Sequence, residues 1–307
     1  MAAVSAESGI SGAGVERLAD ASAPLVIAKE ETAARVRPPG SPCANCGTTL
    51  EGPWCHACGQ LAEDFENRSL LSLAGETVEG LLHADGRLVA TLRRLVLHPA
   101  ALTCDYLSGK RASQLPPLRL FLVVVFLFFL AGALVPGHQL RSETARASQG
   151  DVGANVTQSV PRELAWLAPK IAYARAHPSA LGEEIQSRLH DLAILFLPIA
   201  TLIMALLFPF DRRFRIYDHA IFAMHSLAFL GLLGTLVTVL GLIPGFPAGL
   251  LLIAAPAHLF VHLRGVYRVS VVGSLVRTAL LFFLSLLAYA FLMAATVLVG
   301  LAALRTA

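Results

Sequence analysis

Charge is what this 307-residue sequence has least of. Asp, Glu, Lys and Arg make up 15% of it, against 55% hydrophobic residues. Soluble domains carry nearer a quarter, and here the charge is missing from long blocks rather than thinned evenly. An excess of one sign is missing too: the formal net charge is +3, too small to mark a nucleic-acid partner, and none is expected. Residues 1–42 contain no aromatic residue, only a mix rich in Ala, Ser, Gly, Glu and Pro without hydrophobic period. Such a stretch cannot bury enough surface to offset its ordering entropy, which predicts a disordered tail. It lacks the basic start and continuous apolar core of a secretory leader. Paired carboxylates, an activated nucleophile and a glycine-rich phosphate loop are also missing, which leans the reading away from an enzyme.

What the sequence does have begins with four of its five cysteines. Cys43 and Cys46 are followed by Gly47, and Cys55 and Cys58 by Gly59, giving two C-x-x-C-G turns eight residues apart. A C-x-x-C turn places two thiolates on one ion, and two such turns supply a tetrahedral zinc shell. Glycine after the second cysteine suits a positive backbone angle, and Thr48 to Trp54 can form a hairpin between the turns. Residues 43–60 are therefore expected to be a structural zinc ribbon with Zn2+ on Cys43, Cys46, Cys55 and Cys58. Two disulfides, an iron site and a redox dithiol compete with it. Disulfides need an oxidising compartment, and a catalytic C-x-x-C usually stands alone at a helix start. Four thiolates leave no open position for water, so the zinc is not catalytic. His56 is expected at the surface and not as a ligand, and the lone Cys104 as a buried structural thiol.

From 61 to 117 the sequence reads as amphipathic helices. Leu70, Leu71, Leu73, Val78, Leu81 and Leu82, then Leu88, Leu92, Leu95 and Val96, keep one helical face. Arg87, Arg93, Arg94, Lys110, Arg111 and Arg119 fall outside that stripe, so this region is expected to lie on the headgroup surface. Packing against the bundle is the alternative.

The uncharged blocks predict an all-α polytopic membrane bundle of about five spans: 118–135, 192–210, 220–243, 248–263 and 275–304. Pro244, Pro247 and Pro256 crowd the fourth, which can be spanning or re-entrant. The basic residues before the first span, Arg212, Arg213 and Arg215 after the second, and Arg264, Arg268 and Arg277 after the fourth agree on a cytoplasmic N-terminus and an extracytoplasmic C-terminus. Residues 136–191 then form an external, partly helical loop with breaks at Pro169 and Pro178. Reduced thiolates in the cytosol fit the same orientation.

Polar groups at membrane depth are functional candidates by default. Asp218, His219 and His225 lie in the third span, and His258 and His262 share one face of the fourth. Antiparallel packing is expected to set His219 near His262 and His225 near His258. Four imidazoles so gathered would suit a second metal, a haem or a proton path; structural polar contacts are the alternative.

Several of these residues resemble a known family. The double knuckle ending Cys58-Gly59-Gln60, the run Gly86-Arg87-Leu88, Thr91-Leu92-Arg93, Pro99, Tyr106 to Arg111 and Pro116 to Leu120 resemble the bacterial zinc-ribbon membrane family catalogued as domain of unknown function 3667. Tyr217-Asp218-His219 with His225, and Arg264 to Tyr267, look similar to its later signatures. Gln114 stands where an aromatic is expected, and Asp218 where glutamate is commoner. The resemblance implies a zinc ribbon plus a membrane bundle in a bacterial inner membrane, and brings no activity with it. Function is expected to be that of a non-enzymatic scaffold, regulator or assembly factor, bound to membrane lipid and docking a protein partner or anionic headgroups. A transporter or proton-conducting bundle, and a membrane enzyme with a metal or haem on the histidines, are the alternatives.

Overall fold

The computed structural model describes residues 37–62, 86–134, 166–209 and 211–304. The chain divides into two units, Met1–Asn67 and Arg68–Ala307. Most of the expected tail, the leucine pattern over 69–82 and the first part of the external loop lie outside the described residues. Among those described, the second unit is entirely helical: α1 (Arg87–Leu97), α2 (Pro99–Leu107), α3 (Pro117–Leu134), α4 (Ala168–Ala176), α5 (Pro178–Leu207), α6 (Ile216–Leu240), a short 3-10 helix (Ala248–Ile253), α7 (Ala254–Tyr267) and α8 (Val271–Ala303).

Four helical segments are long and apolar enough to cross a membrane: Pro117–Leu134, Ile216–Leu240, Ala248–Tyr267 and Val271–Ala303; Ile194–Leu207 is a shorter apolar stretch. That stretch ends α5, whose 30 residues run antiparallel to α8. Gly300 faces Leu181 and Ile185, while Arg277 reaches the Leu207 carbonyl. The break expected at Pro178 separates α4 from α5 at His177, whereas Pro169 lies in the first turn of α4; both prolines sit at helix starts, where the missing N–H costs nothing. The fourth span starts as 3-10 helix and continues as α7, so its proline-rich half still keeps its backbone bonded, as a hydrocarbon environment requires.

Local chemistry sets the helix ends. The Arg215 amide donates to the Asp218 carboxylate at 2.8 Å at the start of α6, a capping arrangement that glutamate serves as well. The Gly273 amide donates to the Ser270 hydroxyl at 3.1 Å at the start of α8. Beyond α2 the Lys110 amide returns to the Asp105 carbonyl at 2.9 Å, which requires the positive φ of 96° at Gly109.

The core lies around α6, buried on all sides from Tyr217 to Phe229 apart from Asp218 and Leu227. Helix α3 runs parallel to it at close range: a Cβ on Gly231 would meet Val124 at 2.9 Å, and one on Gly234 would meet Phe128 at 2.8 Å. Small residues permit such approach where lipid supplies no hydrophobic drive.

Helices α1 and α2 belong to this core. Leu95, Leu102 and Leu115 pack with Leu120, Val124, Ala228, Phe229 and Ala255, and a Cβ on Gly265 in α7 would overlap the Ala100 methyl in α2. Of the two readings of the amphipathic region, packing against the bundle describes residues 87–107. An apolar stripe of this width suits either surface, so periodicity alone does not choose between them.

Three of the six basic residues expected at the headgroups, Arg87, Arg94 and Lys110, are engaged within the hairpin and the turn that follows it. Asp105 accepts from Arg94 and, at 3.1 Å, from Lys110. Arg87 donates to the Ala112 carbonyl at 3.3 Å and Arg111 to the Tyr217 hydroxyl at 3.2 Å. Arg119 is buried, and Arg93 is exposed. Burial opposes ionisation of Asp105, but the Arg94 and Lys110 bonds and charges outweigh it and hold its carboxyl below the usual range. A folded pKa below the unfolded one means stability that is full above the ordinary carboxylate range and lost as pH falls through the folded value. Asp105→Asn is therefore expected to lower the melting temperature at pH 7, with the gap to wild type closing as the pH is lowered below about 4. A gap that does not change with pH would contradict the ion-pair role.

Candidate functional site

The first unit is built twice over. Each knuckle closes with the amide of its first cysteine on the carbonyl five residues on, Cys43 to Thr48 at 2.8 Å and Cys55 to Gln60 at 2.9 Å. The following glycines return to the same cysteines, Gly47 to Cys43 at 2.9 Å and Gly59 to Cys55 at 2.8 Å. Their φ values of 79° and 70° are what glycine supplies without strain. Outer bonds repeat the pattern, Leu50 to Ser41 and Ala62 to Pro53, and bridges pair Pro42 with Thr49 and Trp54 with Leu61. Leu50 and Ala62 join Cys43 and Cys55 in a small apolar floor.

This scaffold brings all four Sγ atoms within 4.8 Å of one another. Cys43 lies 3.6 Å from Cys58, and Cys46 lies 3.5 Å from Cys55. All are free thiols, so the disulfide reading is not adopted. Contacts with the Thr48 side chain and backbone hold the Cys46 thiol down at about 6, while burial pushes Cys58 up to about 12. Acids this close do not ionise together without a compensating cation. The cluster can bind a metal ion. His56 is exposed on the second turn and outside the cluster, as the sequence suggests.

The histidines of the bundle are arranged differently from the expectation. His219 pairs with the Tyr267 hydroxyl at 2.7 Å (Nδ1) and not with His262. His262 lies level with Ser226, whose hydroxyl is 3.1 Å from its Nδ1. The tight link over 241–247 fixes this: with the helices level at Leu240 and Ala248, His262 falls opposite Ser226, about two turns along α6 from His219. Asp218 caps α6 and takes no part in the cluster.

The group that joins the histidines is Thr103 of α2. Its hydroxyl lies 2.8 Å from His225 Nδ1 and 2.7 Å from His262 Nε2, and all three residues are fully buried. A hydroxyl has one proton, so it donates to one imidazole and accepts from the other. The chain Ser226–His262–Thr103–His225 is thus consistently bonded in either of two polarities. His225 Nε2 at its end has no partner among the described residues. His258 stands apart, donating from Nε2 to the Leu95 carbonyl at 2.8 Å and stacked on Phe229 at 3.5 Å between centroids. Among the described residues the cysteines are the only His, Cys, Asp or Glu groups that converge closely enough to hold a metal ion.

Thr103 and Ser226 escaped the sequence reading because a lone hydroxyl on an apolar helix carries no signal until its partner from a distant helix is known. Cys104 beside Thr103 is half-buried, and burial raises its thiol pKa. Gln114, in the position where the family resemblance favours an aromatic, is buried; its amide donates to the Lys110 carbonyl and its Oε1 is without a partner among the described residues.

Residues 85–129 match the family described as protein of unknown function (DUF3667). The resemblance read in the sequence holds over this segment, which carries α1, α2 and most of α3, Thr103 included. No curated protein and no solved structure gives a significant match.

Removing the shared hydroxyl while keeping its shape tests the arrangement. Thr103→Val is expected to cost about 2 kcal/mol, since two buried imidazole nitrogens lose their partner, and Thr103→Ser, which keeps the hydroxyl and loses one buried methyl, about 1 kcal/mol. Unfolding in mixed micelles measures both, and equal stability of the valine variant and wild type would refute the arrangement.

Proposed function

We propose that this chain is a non-enzymatic membrane scaffold or regulator, multi-pass in a bacterial inner membrane, whose thiol head carries one structural zinc ion and docks a protein partner or anionic lipid. The observation that carries the reading is the preformed set of four thiols. Zinc–sulfur bonds of about 2.3 Å in a tetrahedron put sulfurs about 3.8 Å apart, close to the 3.6 and 3.5 Å pairs here. Thiolates select zinc or iron–sulfur centres over hard cations. A closed shell leaves the ion no catalytic position, so its role is to hold a surface. On that surface Trp54 is 60% exposed, the kind of residue that anchors interfaces.

The N-terminal head belongs in the cytosol on this reading, with the C-terminus outside. Placement of Arg212, Arg213, Arg215, Arg264 and Arg268 supports it. These residues flank one end of the bundle, where Phe214 packs on Tyr267 at 4.6 Å between centroids.

Metal analysis of the detergent-purified chain is expected to find one zinc per chain and no visible chromophore. Cys43→Ser with Cys46→Ser is expected to bring zinc to background. A second metal, a haem band, or zinc retained by the double variant would overturn the reading.

The Ser226–His262–Thr103–His225 chain favours a second reading, a proton-conducting bundle, because hydrogen-bonded hydroxyl and imidazole groups pass protons by reversing polarity. Proteoliposomes loaded with a pH-sensitive dye decide between them. The second reading predicts a proton flux that Thr103→Val abolishes, whereas the scaffold reading predicts no flux above that of empty vesicles.

A further inference from the structure

One groove on the bundle serves neither the thiol head nor the imidazole chain. It lies between the antiparallel α5 and α8, has a volume of about 420 Å³, and is lined by Leu206, Leu207, Val276, Arg277, Leu280 and Leu284. Its walls are apolar except for one guanidinium. Leu206, Val276 and Leu280 are 66%, 52% and 46% exposed, so among the described residues nothing covers them.

Arg277 is held without being neutralised. Its side chain donates to the Leu207 and Gly273 carbonyls, both at 3.4 Å, and its guanidinium lies 4.9 Å over the Phe208 ring. No carboxylate reaches it among the described residues. Asp211, the acid of the adjoining link, is taken by Arg213 at 2.8 Å.

Its depth is set by the helix. The 26 residues from Thr278 to Ala303 contain no charge. At 1.5 Å per residue they span about 39 Å, more than the roughly 30 Å of hydrocarbon. That stretch is long enough to leave Arg277 at the boundary between acyl chains and headgroups. Arg277 lies at the arginine-rich end of the bundle, with the apolar groove running from it along Leu280 and Leu284 towards the bilayer centre.

We propose that this groove binds one anionic glycerophospholipid, with an acyl chain along Leu206, Val276, Leu280 and Leu284 and the phosphate on Arg277. An apolar channel with an unneutralised cation at its headgroup end matches that ligand in shape and charge. A partner's helix would leave the cation facing hydrocarbon unless it brought an acid. The proposal deepens the lipid part of the function proposed above and rests on the bundle alone, so loss of zinc or of docking at the head does not affect it.

Native mass spectrometry of the delipidated full chain, titrated with phosphatidylglycerol or phosphatidylcholine of equal chain length, tests it. Wild type is expected to retain phosphatidylglycerol in preference, with one lipid bound first. Arg277→Gln is expected to weaken that binding about fivefold, the worth of one basic residue near an anionic surface, with little change for phosphatidylcholine. Arg277→Lys should keep most of the preference. Leu280→Trp, which fills the groove while leaving the cation, should weaken both lipids. Melting curves of each variant confirm folding, and the tryptophan variant keeps the test decisive if Arg277→Gln does not fold. Unchanged lipid binding in both variants would overturn the proposal and leave Arg277 as a cap on the end of α5. So would a preference abolished by Arg212→Gln with Arg213→Gln instead, or a dimer that Leu280→Trp dissociates.

Discussion

The bundle depends on one shared hydroxyl. Thr103 brings α2 against α6 and α7 through two imidazoles, and this turns a short, mostly apolar helix into a core element. A polar group in so dry a place is costly unless bonded; once bonded, it fixes position more sharply than apolar contact does. Leu102 and Tyr106 on either side of Thr103 are 0% and 1% exposed, and fully burying such a side chain is worth roughly 1.5–3 kcal/mol relative to water. Losing the hydroxyl would leave two buried imidazole nitrogens unpaired, a cost comparable to losing one such side chain, and the hydroxyl also supplies the register. The Asp105 clip to Arg94 and Lys110, and the close approach of Ala100 to Gly265, complete the seat.

The two units use opposite chemistries. In the head, four thiols crowd into a space that only a cation makes comfortable, and local backbone bonds within a short hairpin prepare that space. In the bundle, imidazoles are satisfied by neutral partners, a hydroxyl, a phenol and a carbonyl, each from another helix. The first arrangement is a set of ligands that can hold an ion. Among the described residues the second already has its partners, apart from His225 Nε2. This contrast is why a structural metal is proposed for the head, and none is proposed for the histidines.

What was legible in the sequence follows the range of the interactions involved. The thiol cluster was legible because its geometry is set within twenty residues, by C-x-x-C spacing and two glycines. The apolar spans were legible because crossing hydrocarbon demands uncharged length, whatever the neighbours. The seat of α1 and α2 was not, since leucines facing one way and arginines another suit a headgroup surface and a bundle wall equally. The burial of Leu95 and Leu102 against α3 and α6, with Arg94 and Lys110 paired to Asp105, separates the two. The register of His219 against His262 was missed by about two turns because it depends on where Leu240 and Ala248 stand level across a link whose conformation the sequence does not announce. Arg277 was read as a topology marker; its groove depends on α5 running the length of α8, which hydropathy alone does not reveal.

The central claim is that α2 is part of the bundle core and not a helix resting on its surface. Amide hydrogen exchange of the full chain in nanodiscs tests it most directly. The account predicts that amides over Leu102–Leu107 are protected as strongly as those of Ile221–Phe229 in α6. Exchange there as fast as at exposed helix ends, with α6 still protected, would contradict it.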